Sequence, residues 1–186
     1  YITITLMHIV RWLNTSQQID IDIDLHGRRK SLESDLTKLL RKSTQTRSAK
    51  IRDRMGLRAI LLNKPEQQAI SYIYLIYDAI TGILAAKDRK MRKQFFDWIE
   101  KNEAVNPINR IVIKEVLNIP FDIDEEKNYI QTPKPNGYRS FHFTLNIQQY
   151  SQVNPGSQVE IQLRTENMDN AANSGSASHE EYKKYH

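Results

Sequence analysis

The sequence predicts an α+β fold in which a mixed, mainly antiparallel β-sheet is flanked by helices. Apolar and polar residues alternate over residues 19–25, 141–147 and 159–163, which is typical of strands that bury one face. A short apolar run at 57–62 favours a fourth strand. Stretches with helical spacing lie between these segments. The 186 residues suit a single domain over 1–186.

The first part of the chain is predicted to form three elements. The first is a helix or a strand, the next is a strand, and the last is a helix. Residues 2–13 are mostly apolar and fit either a helix or a strand. The alternating segment that follows runs into a turn and a basic cluster at 26–30. Ser31 or Ser34 can then cap a helix with a leucine stripe. The polar residues 43–50 are expected to form a loop.

The second part of the chain places helices before the last two strands. One helix is predicted from Pro65 and a second from Asp88. Residues 120–126 read as an acidic connector, and 133–137 are the strongest turn signal. The last two strands are expected to pair antiparallel, and a helical pattern begins at Met168.

Composition narrows the classes of function. The chain has 27 basic and 22 acidic residues, a net charge of +5 and a pI near 9.3, which favour a polyanionic partner. No Cys is present, so disulfides, thiolate zinc sites and a cysteine nucleophile are excluded. A P-loop, a His-Glu-x-x-His zinc motif and a Gly-x-Ser-x-Gly elbow are also absent. Without a targeting or membrane segment, we expect a cytoplasmic protein with no membrane partner.

Strand alternation collects polar side chains on one surface of the predicted sheet. Residues i and i+2 of a strand share a face, and the apolar residues of the last two strands take the core side. The opposite face then carries a set of groups suited to binding or acid–base chemistry. This set is His142, Glu160, Gln162 and Arg164. The pattern alone also fits an ordinary solvent-facing sheet surface.

Three other sets of candidate site residues fit a structural role as well as a functional one. Cations flanking a helix start, such as Arg28 and Lys30, suit a phosphate site or a simple basic patch. Asp53, just before Gly56, suits Mg²⁺ binding or an Asx turn. Tyr138 suits stacking on a nucleobase or covering the core.

Five blocks in fixed order carry a family resemblance. Together they resemble the synthetase domain of RelA/SpoT-type alarmone enzymes over about residues 20–183, particularly its small stand-alone members. The third and fourth blocks are highly specific. The blocks are Gly27-Arg28-Arg29-Lys30-Ser31-x-x-Ser34-x-x-x-Lys38, Asp53-x-x-Gly56-Leu57-Arg58, Lys127-Asn128-Tyr129-Ile130-x-x-Pro133-Lys134-Pro135-Asn136-Gly137-Tyr138-Arg139-Ser140-Phe141-His142, Val159-Glu160-Ile161-Gln162-Leu163-Arg164-Thr165 and Gly175-x-Ala177-x-His179-x-x-Tyr182-Lys183.

The resemblance implies a nucleotidyltransferase-like fold and transfer of pyrophosphate from ATP to the ribose 3′-OH of GDP or GTP, with release of AMP. Glu160, Asp53 and Lys127 would be catalytic, with Asp53 and Glu160 holding Mg²⁺ and Glu160 acting as base. The residues implied on the ATP side are Arg28, Lys30, Ser34, Lys38 and Arg58. Those implied on the acceptor side are Lys134, Asn136, Tyr138, His142, Gln162, Arg164 and His179.

Departures from the family pattern keep rival functions open. Asn173 stands where the family usually has Glu, and Asn128 where Asp is common. A toxin-like pyrophosphokinase acting on adenosine nucleotides or the tRNA 3′ end is one alternative, and an inactive nucleotide- or RNA-binding module is another. A helical insertion at about 65–118 could cover the site, bind a protein partner or enlarge the core, and a homo-oligomer is open. Since no hydrolase segment precedes the synthetase motifs, synthesis without alarmone breakdown is expected.

Overall fold

The computed structural model describes residues 1–29, 55–147 and 158–174. Within these ranges the chain forms five helices and five strands. They are α1 (Ile2–Gln17), β1 (Ile23–Arg29), β2 (Met55–Leu61), α2 (Glu66–Ile83), α3 (Arg89–Lys101), α4 (Pro107–Asn118), β3 (Phe121–Asn128), β4 (Phe141–Ile147), β5 (Gln158–Thr165) and α5 (Glu166–Ser174). Among the described helices, none combines the length and the apolar character needed to cross a bilayer.

The described strands form one mixed sheet in the order β1-β2-β5-β4-β3. Three of the four pairings are antiparallel, and only β2 and β5 run parallel. Because β5 is the central strand, it connects the β1–β2 half of the sheet to the β4–β3 half. This arrangement confirms the predicted α+β class and the mainly antiparallel sheet.

One face of the sheet is the hydrophobic core. Phe143 and Leu145 of β4 lie beside Ile161 and Val159 of β5, and all are buried. Helix α2 packs on this face, with the Tyr77 ring meeting the Phe143 ring edge to face at 5.1 Å. Burial of these apolar side chains is the main stabilising contribution to the fold, and it turns the polar residues of both strands to the other face.

The three helices α2, α3 and α4 occupy the region predicted as helical between the second and third strands. Asp88 caps α3 by accepting from the Met91 amide at 2.9 Å, and Asn106 caps α4 by accepting from Asn109 at 2.8 Å. Pro107 follows at the first helical position, where its missing N–H costs nothing. The ambiguous segment at 2–13 is resolved as the helix α1. That the helices are an insertion into a single domain stays a prediction.

The strand expected at 19–25 begins later, at Ile23, and the prediction of a turn at 26–29 is wrong. Asn14 at the end of α1 is the physical reason for the late start. Its side chain donates to the Ile21 carbonyl at 2.9 Å and accepts from the Ile21 amide at 2.8 Å. With those backbone groups occupied, ladder pairing starts only beyond Ile21 and continues through the basic residues, where Gly27 pairs with Leu57.

The predicted acidic connector at 120–126 is also wrong, because β3 covers most of it. This strand is at the edge of the sheet, where charged side chains are common since they prevent strand addition. The register shifts between Asp124 and Lys127, and Glu125 takes a positive φ of 52° there. Such a bulge breaks the alternation by which a strand is recognised in a sequence.

Candidate active site

The face of the sheet opposite the core carries an aligned row of polar residues. Lys127 on β3 pairs with His142 on β4, which pairs with Gln162 on β5, which in turn lies beside Arg58 on β2. Gln162 and His142 are buried, so this face is not an ordinary solvent-facing surface. Buried polar side chains require partners, and those partners form a continuous network.

Glu160 lies at one end of this network. Its Oε1 is 3.3 Å from His142 Nδ1, and its Oε2 accepts from Gln162 Nε2 at 2.9 Å. In the sheet, Glu160 lies beside Gly56, which has no side chain to compete with it. Two neutral donors therefore orient the Glu160 carboxylate.

Tyr138 and His142 extend the network in a fixed direction. Tyr138 Oη is 2.9 Å from His142 Nε2 and accepts from Arg164 Nη2 at 2.6 Å. Since an ionised Glu160 only accepts, His142 Nδ1 carries the proton and the neutral ring accepts at Nε2 from the Tyr138 hydroxyl. The hydrogen bonds thus run from Arg164 through Tyr138 and His142 to Glu160.

A second route joins the same two ends. Gln162 Oε1 accepts from Arg164 Nη2 at 3.2 Å, while its Nε2 donates to Glu160. Arg164 is buried, and its Nη1 donates to Asp169 Oδ1 at 2.8 Å. A buried guanidinium needs such a carboxylate, because an unpaired buried charge is strongly destabilising.

An aromatic pair with a lysine lies beside the network. Lys134 Nζ is 4.7 Å from the Tyr129 ring centroid and 5.0 Å from that of Tyr138. Gly137, with a φ of 78°, allows the tight turn that carries these residues, since a positive φ costs glycine little. Arg164 also lies over the Tyr138 ring, 5.0 Å from its centroid. Cations and aromatic rings so arranged suit an anionic ligand with a planar base.

Two histidines have pKa values below the ordinary value because they are buried. Burial lowers the pKa of His142, outweighing the opposite effect of Glu160. Burial likewise lowers the pKa of His8 in α1, although its bond to the Ile4 carbonyl acts the other way. When the pH falls, these two histidines bind protons in the unfolded chain first. At the same pH they are still neutral in the folded protein.

We expect the free energy of unfolding to fall as the pH falls from about 7 to about 5.5, because the unfolded histidines then take up protons that the folded ones refuse. Urea denaturation over this range would measure it. Replacing His8 with Leu should reduce the slope. A free energy of unfolding that rises toward pH 5.5 would contradict the assignment of neutral rings.

The predicted acceptor-side residues that the structure describes lie close together. Asn136 differs from the others in that it helps to form a turn. Tyr138, His142, Gln162 and Arg164 form the network, and Lys134 lies at its edge. Asn136 has a turn-forming contact, since its Oδ1 accepts from the Tyr138 amide at 3.3 Å. Their roles toward a substrate stay predictions.

The remaining predicted residues are placed only in part. Lys127 forms an ion pair with Glu125 at 3.0 Å; burial opposes its charge, yet the hydrogen bond and charge of Glu125 leave its pKa raised. Arg58 lies 3.4 Å from Asp169, and Arg28 occupies the β1 position opposite Gly56. The others lie outside the described residues: Lys30, Ser34, Lys38, Asp53 and His179.

Two contributors to the site were not predicted. Tyr129 packs edge-on against His142, with ring centroids 5.4 Å apart, although the sequence indicated it only as part of a motif. Asp169 is buried between two arginines. Its signal in the sequence is weak, because an acidic residue early in a helix is usual without any site.

A divalent cation requires oxygen ligands from more than one residue. Among residues 1–29, 55–147 and 158–174, no group of three or more potential ligands is clustered tightly enough to hold a metal. Glu160 offers hard oxygen atoms, and β2 begins beside it two residues after Asp53. Carboxylate oxygens are suitable ligands for magnesium. Binding of Mg²⁺ by Asp53 and Glu160 stays a prediction.

A profile of the region found in RelA / SpoT proteins matches residues 27–186. The chain belongs to the RelA/SpoT family. A probable chloroplastic GTP diphosphokinase CRSH from Arabidopsis thaliana is 32% identical over 162 residues, which are 87% of this chain and 22% of the relative. GTP diphosphokinase CRSH1 of Oryza sativa subsp. japonica is 27% identical over 89% of this chain and 22% of its own length. The chain thus spans about a fifth of these curated relatives.

Solved structures of the family share the fold. The small alarmone synthetase 2 from Bacillus subtilis is 25% identical, with a TM-score of 0.50, over 97% of this chain and 78% of that chain. The small alarmone synthetase 1 from Bacillus subtilis, bound to its product pppGpp, is 21% identical, with a TM-score of 0.55, over 95% and 71%. The predicted family and fold class are thereby confirmed.

Proposed function

We propose that this chain is a (p)ppGpp synthetase, which transfers pyrophosphate from ATP to the ribose 3′-OH of GDP or GTP. The observation that carries the proposal is the Glu160 carboxylate, held on a buried polar face by His142 and Gln162 within a family-matching strand. The two plant relatives are named as GTP diphosphokinases, and this similarity supports the same reaction. The product pppGpp in a structural relative is consistent with it.

The chemistry follows from the residues of the polar face. The 3′-oxygen of the acceptor attacks the β-phosphorus of ATP, forming one P–O bond while the bond to the oxygen bridging the α- and β-phosphorus breaks. AMP leaves with that oxygen, and Glu160 accepts the proton of the 3′-OH. Pyrophosphoryl transfer demands mainly positioning and charge stabilisation. His142 and Gln162 orient the carboxylate for this step.

The cations of the site have separate tasks in this proposal. Arg58 and the basic residues Arg28, Lys30 and Lys38, with Ser34, bind ATP. Lys127, Lys134 and Arg164 bind phosphates, as guanidinium and ammonium groups do well. Tyr138 stacks on the acceptor base while Asn136, His142, Gln162 and His179 orient the acceptor. Asp53 and Glu160 would hold Mg²⁺, which would supply charge neutralisation at the phosphate oxygens when bound.

The proposed reaction defines the partners of the protein, and the composition bears on its cellular location. ATP and a guanosine nucleotide are the partners, and the lack of Cys is consistent with a reducing cytoplasmic location. Asn173 supports one second candidate, in which adenosine nucleotides or the tRNA 3′ end accept the pyrophosphate. Where the family usually has Glu, its amide donates to Asp169 at 2.7 Å, so no carboxylate at this position can discriminate acceptors.

An acceptor panel tests the proposal. The protein is incubated with Mg²⁺, ATP and, separately, AMP, ADP, GDP, GTP or tRNA, and AMP release and products are resolved by chromatography. We expect AMP and a 3′-pyrophosphorylated product with GDP or GTP. Product with only adenosine nucleotides or tRNA would establish the second candidate instead. Salt-sensitive RNA binding without AMP release would leave a binding module and refute both.

A further inference from the structure

Asp169 is a buried carboxylate that joins Arg58 and Arg164 of the site. Of the acidic residues in the described ranges, only Asp169 is buried, with 8% of its surface exposed. Its Oδ1 accepts from Arg164 Nη1 at 2.8 Å and lies 3.4 Å from Arg58 Nη1, while its Oδ2 accepts from Asn173 at 2.7 Å. One carboxylate oxygen therefore faces cations from two different strands.

The start of α5 places this carboxylate. The Thr165 hydroxyl at the end of β5 accepts from the Met168 amide at 3.2 Å, which caps the helix. The chain therefore turns directly from strand to helix, and Asp169 in the first helical turn reaches back to Arg164. Helix α5 packs against both β5 and β2, which carry the two arginines.

The influence of Asp169 extends through Arg164 to Glu160. A guanidinium group is planar and rigid, so fixing Nη1 on Asp169 also fixes the direction of Nη2. That nitrogen donates to Tyr138 at 2.6 Å and to Gln162 at 3.2 Å, the two routes that end on the Glu160 carboxylate. Through these bonds the effect of Asp169 on the chemistry passes by way of Arg164.

We propose that Asp169 is a positioning residue that links the ATP and acceptor sites by holding Arg58 and Arg164 on one carboxylate. The proposal rests on the function above, in which Arg58 serves ATP and Arg164 the acceptor. A single negative charge between two guanidinium groups leaves a net positive charge for phosphates while reducing the repulsion of the arginines. Loss of that charge removes the one carboxylate that both arginines share, so both substrates are affected.

Replacing Asp169 with Asn tests this link, because it keeps the size and removes the charge. Steady-state kinetics should show KM values for ATP and for the acceptor that both rise, and kcat/KM that falls about 10-fold to 100-fold, as for other orienting partners of functional groups. Replacing Tyr138 with Phe breaks only the route to His142 and should raise the acceptor KM while leaving the ATP KM unchanged. Asp97→Asn, which removes an ion pair with Lys93 on the surface of α3, is the matched control and should change neither.

Nitrogen NMR of the histidine rings supplies a readout that does not need turnover. His142 in the wild type should show the neutral Nδ1–H tautomer, and its signals should shift in Asp169→Asn but not in Asp97→Asn. If the wild type transfers no pyrophosphate, the proposed function fails, whereas the NMR shift still decides whether Asp169 controls the network. If Asp169→Asn does not fold, Asn173→Ala, which removes an exposed donor to Asp169, should act in the same direction with a smaller effect.

The proposal is overturned by a folded variant whose KM values and His142 signals equal those of the wild type. A rise in the KM of only one substrate would also overturn it, since the two arginines would then act separately.

Discussion

Replacing Glu160 with Gln is expected to reduce AMP release by about 10²-fold to 10⁴-fold, the range typical of losing a general base. The amide cannot take the proton of the 3′-OH and is a poorer ligand for a cation. Gln has nearly the same shape and keeps one oxygen that can accept from His142 or Gln162, so the fold should be preserved. Initial rates of AMP release at saturating substrates, together with thermal unfolding, would measure both quantities.

The matched control is Glu115→Gln, the same chemical change at an exposed position of α4. This variant should keep wild-type activity, because α4 packs with α1 and its buried residues belong to the hydrophobic core. Full activity in Glu160→Gln would remove Glu160 from the base role. Equal losses in both variants would mean that the change acts through general stability.

Replacing Phe143 with Ala is expected to lower the free energy of unfolding by about 3–5 kcal/mol. Phe143 is fully buried at the centre of β4, and its ring meets those of Tyr77 and Phe141. The loss combines the apolar surface removed with the cavity left behind. Because a domain of this kind is stable by about 5–15 kcal/mol, much of its stability would be lost. Urea denaturation would measure the change.

Phe96→Ala provides the comparison, since Phe96 on α3 is 41% exposed and contacts Lys114 only through a cation–π interaction at 5.9 Å. Its loss should cost less than about 1 kcal/mol. Similar losses at both positions would contradict the assignment of the core to the β4 face that carries Phe143.

The strands that carry the site could be predicted because alternation survives wherever one face is truly apolar. Residues 141–147 and 159–163 have that pattern, and it correctly placed His142 opposite the core. Edge strand β3 could not be found this way, because its charged side chains and the bulge at Glu125 obscure the period. The late start of β1 depends on Asn14, a contact with no local signature.

For the described residues, the sequence indicated which polar side chains share a face of the sheet but not how they hydrogen-bond. The motifs indicated Tyr138 and Arg164 without revealing that they hydrogen-bond to each other, since residues 26 positions apart meet only once β4 and β5 are paired. Asp169 was not predicted as a site residue, because only its burial distinguishes it. That burial depends on how α5 packs against β5. Pattern identifies faces of elements, whereas tertiary packing decides which polar groups lose water and therefore need one another.

The most direct measurement follows the phosphorus atoms of ATP. With ATP labelled at the β-phosphorus and GDP or GTP as acceptor, pyrophosphate transfer predicts that the label appears in a guanosine nucleotide carrying a 3′-diphosphate, while unlabelled AMP accumulates. The Glu160→Gln variant should leave the label in ATP. Label found in ADP would indicate a simple kinase, and label in free pyrophosphate would indicate transfer of the AMP moiety. Either result with the wild type would contradict pyrophosphoryl transfer at this face of the sheet.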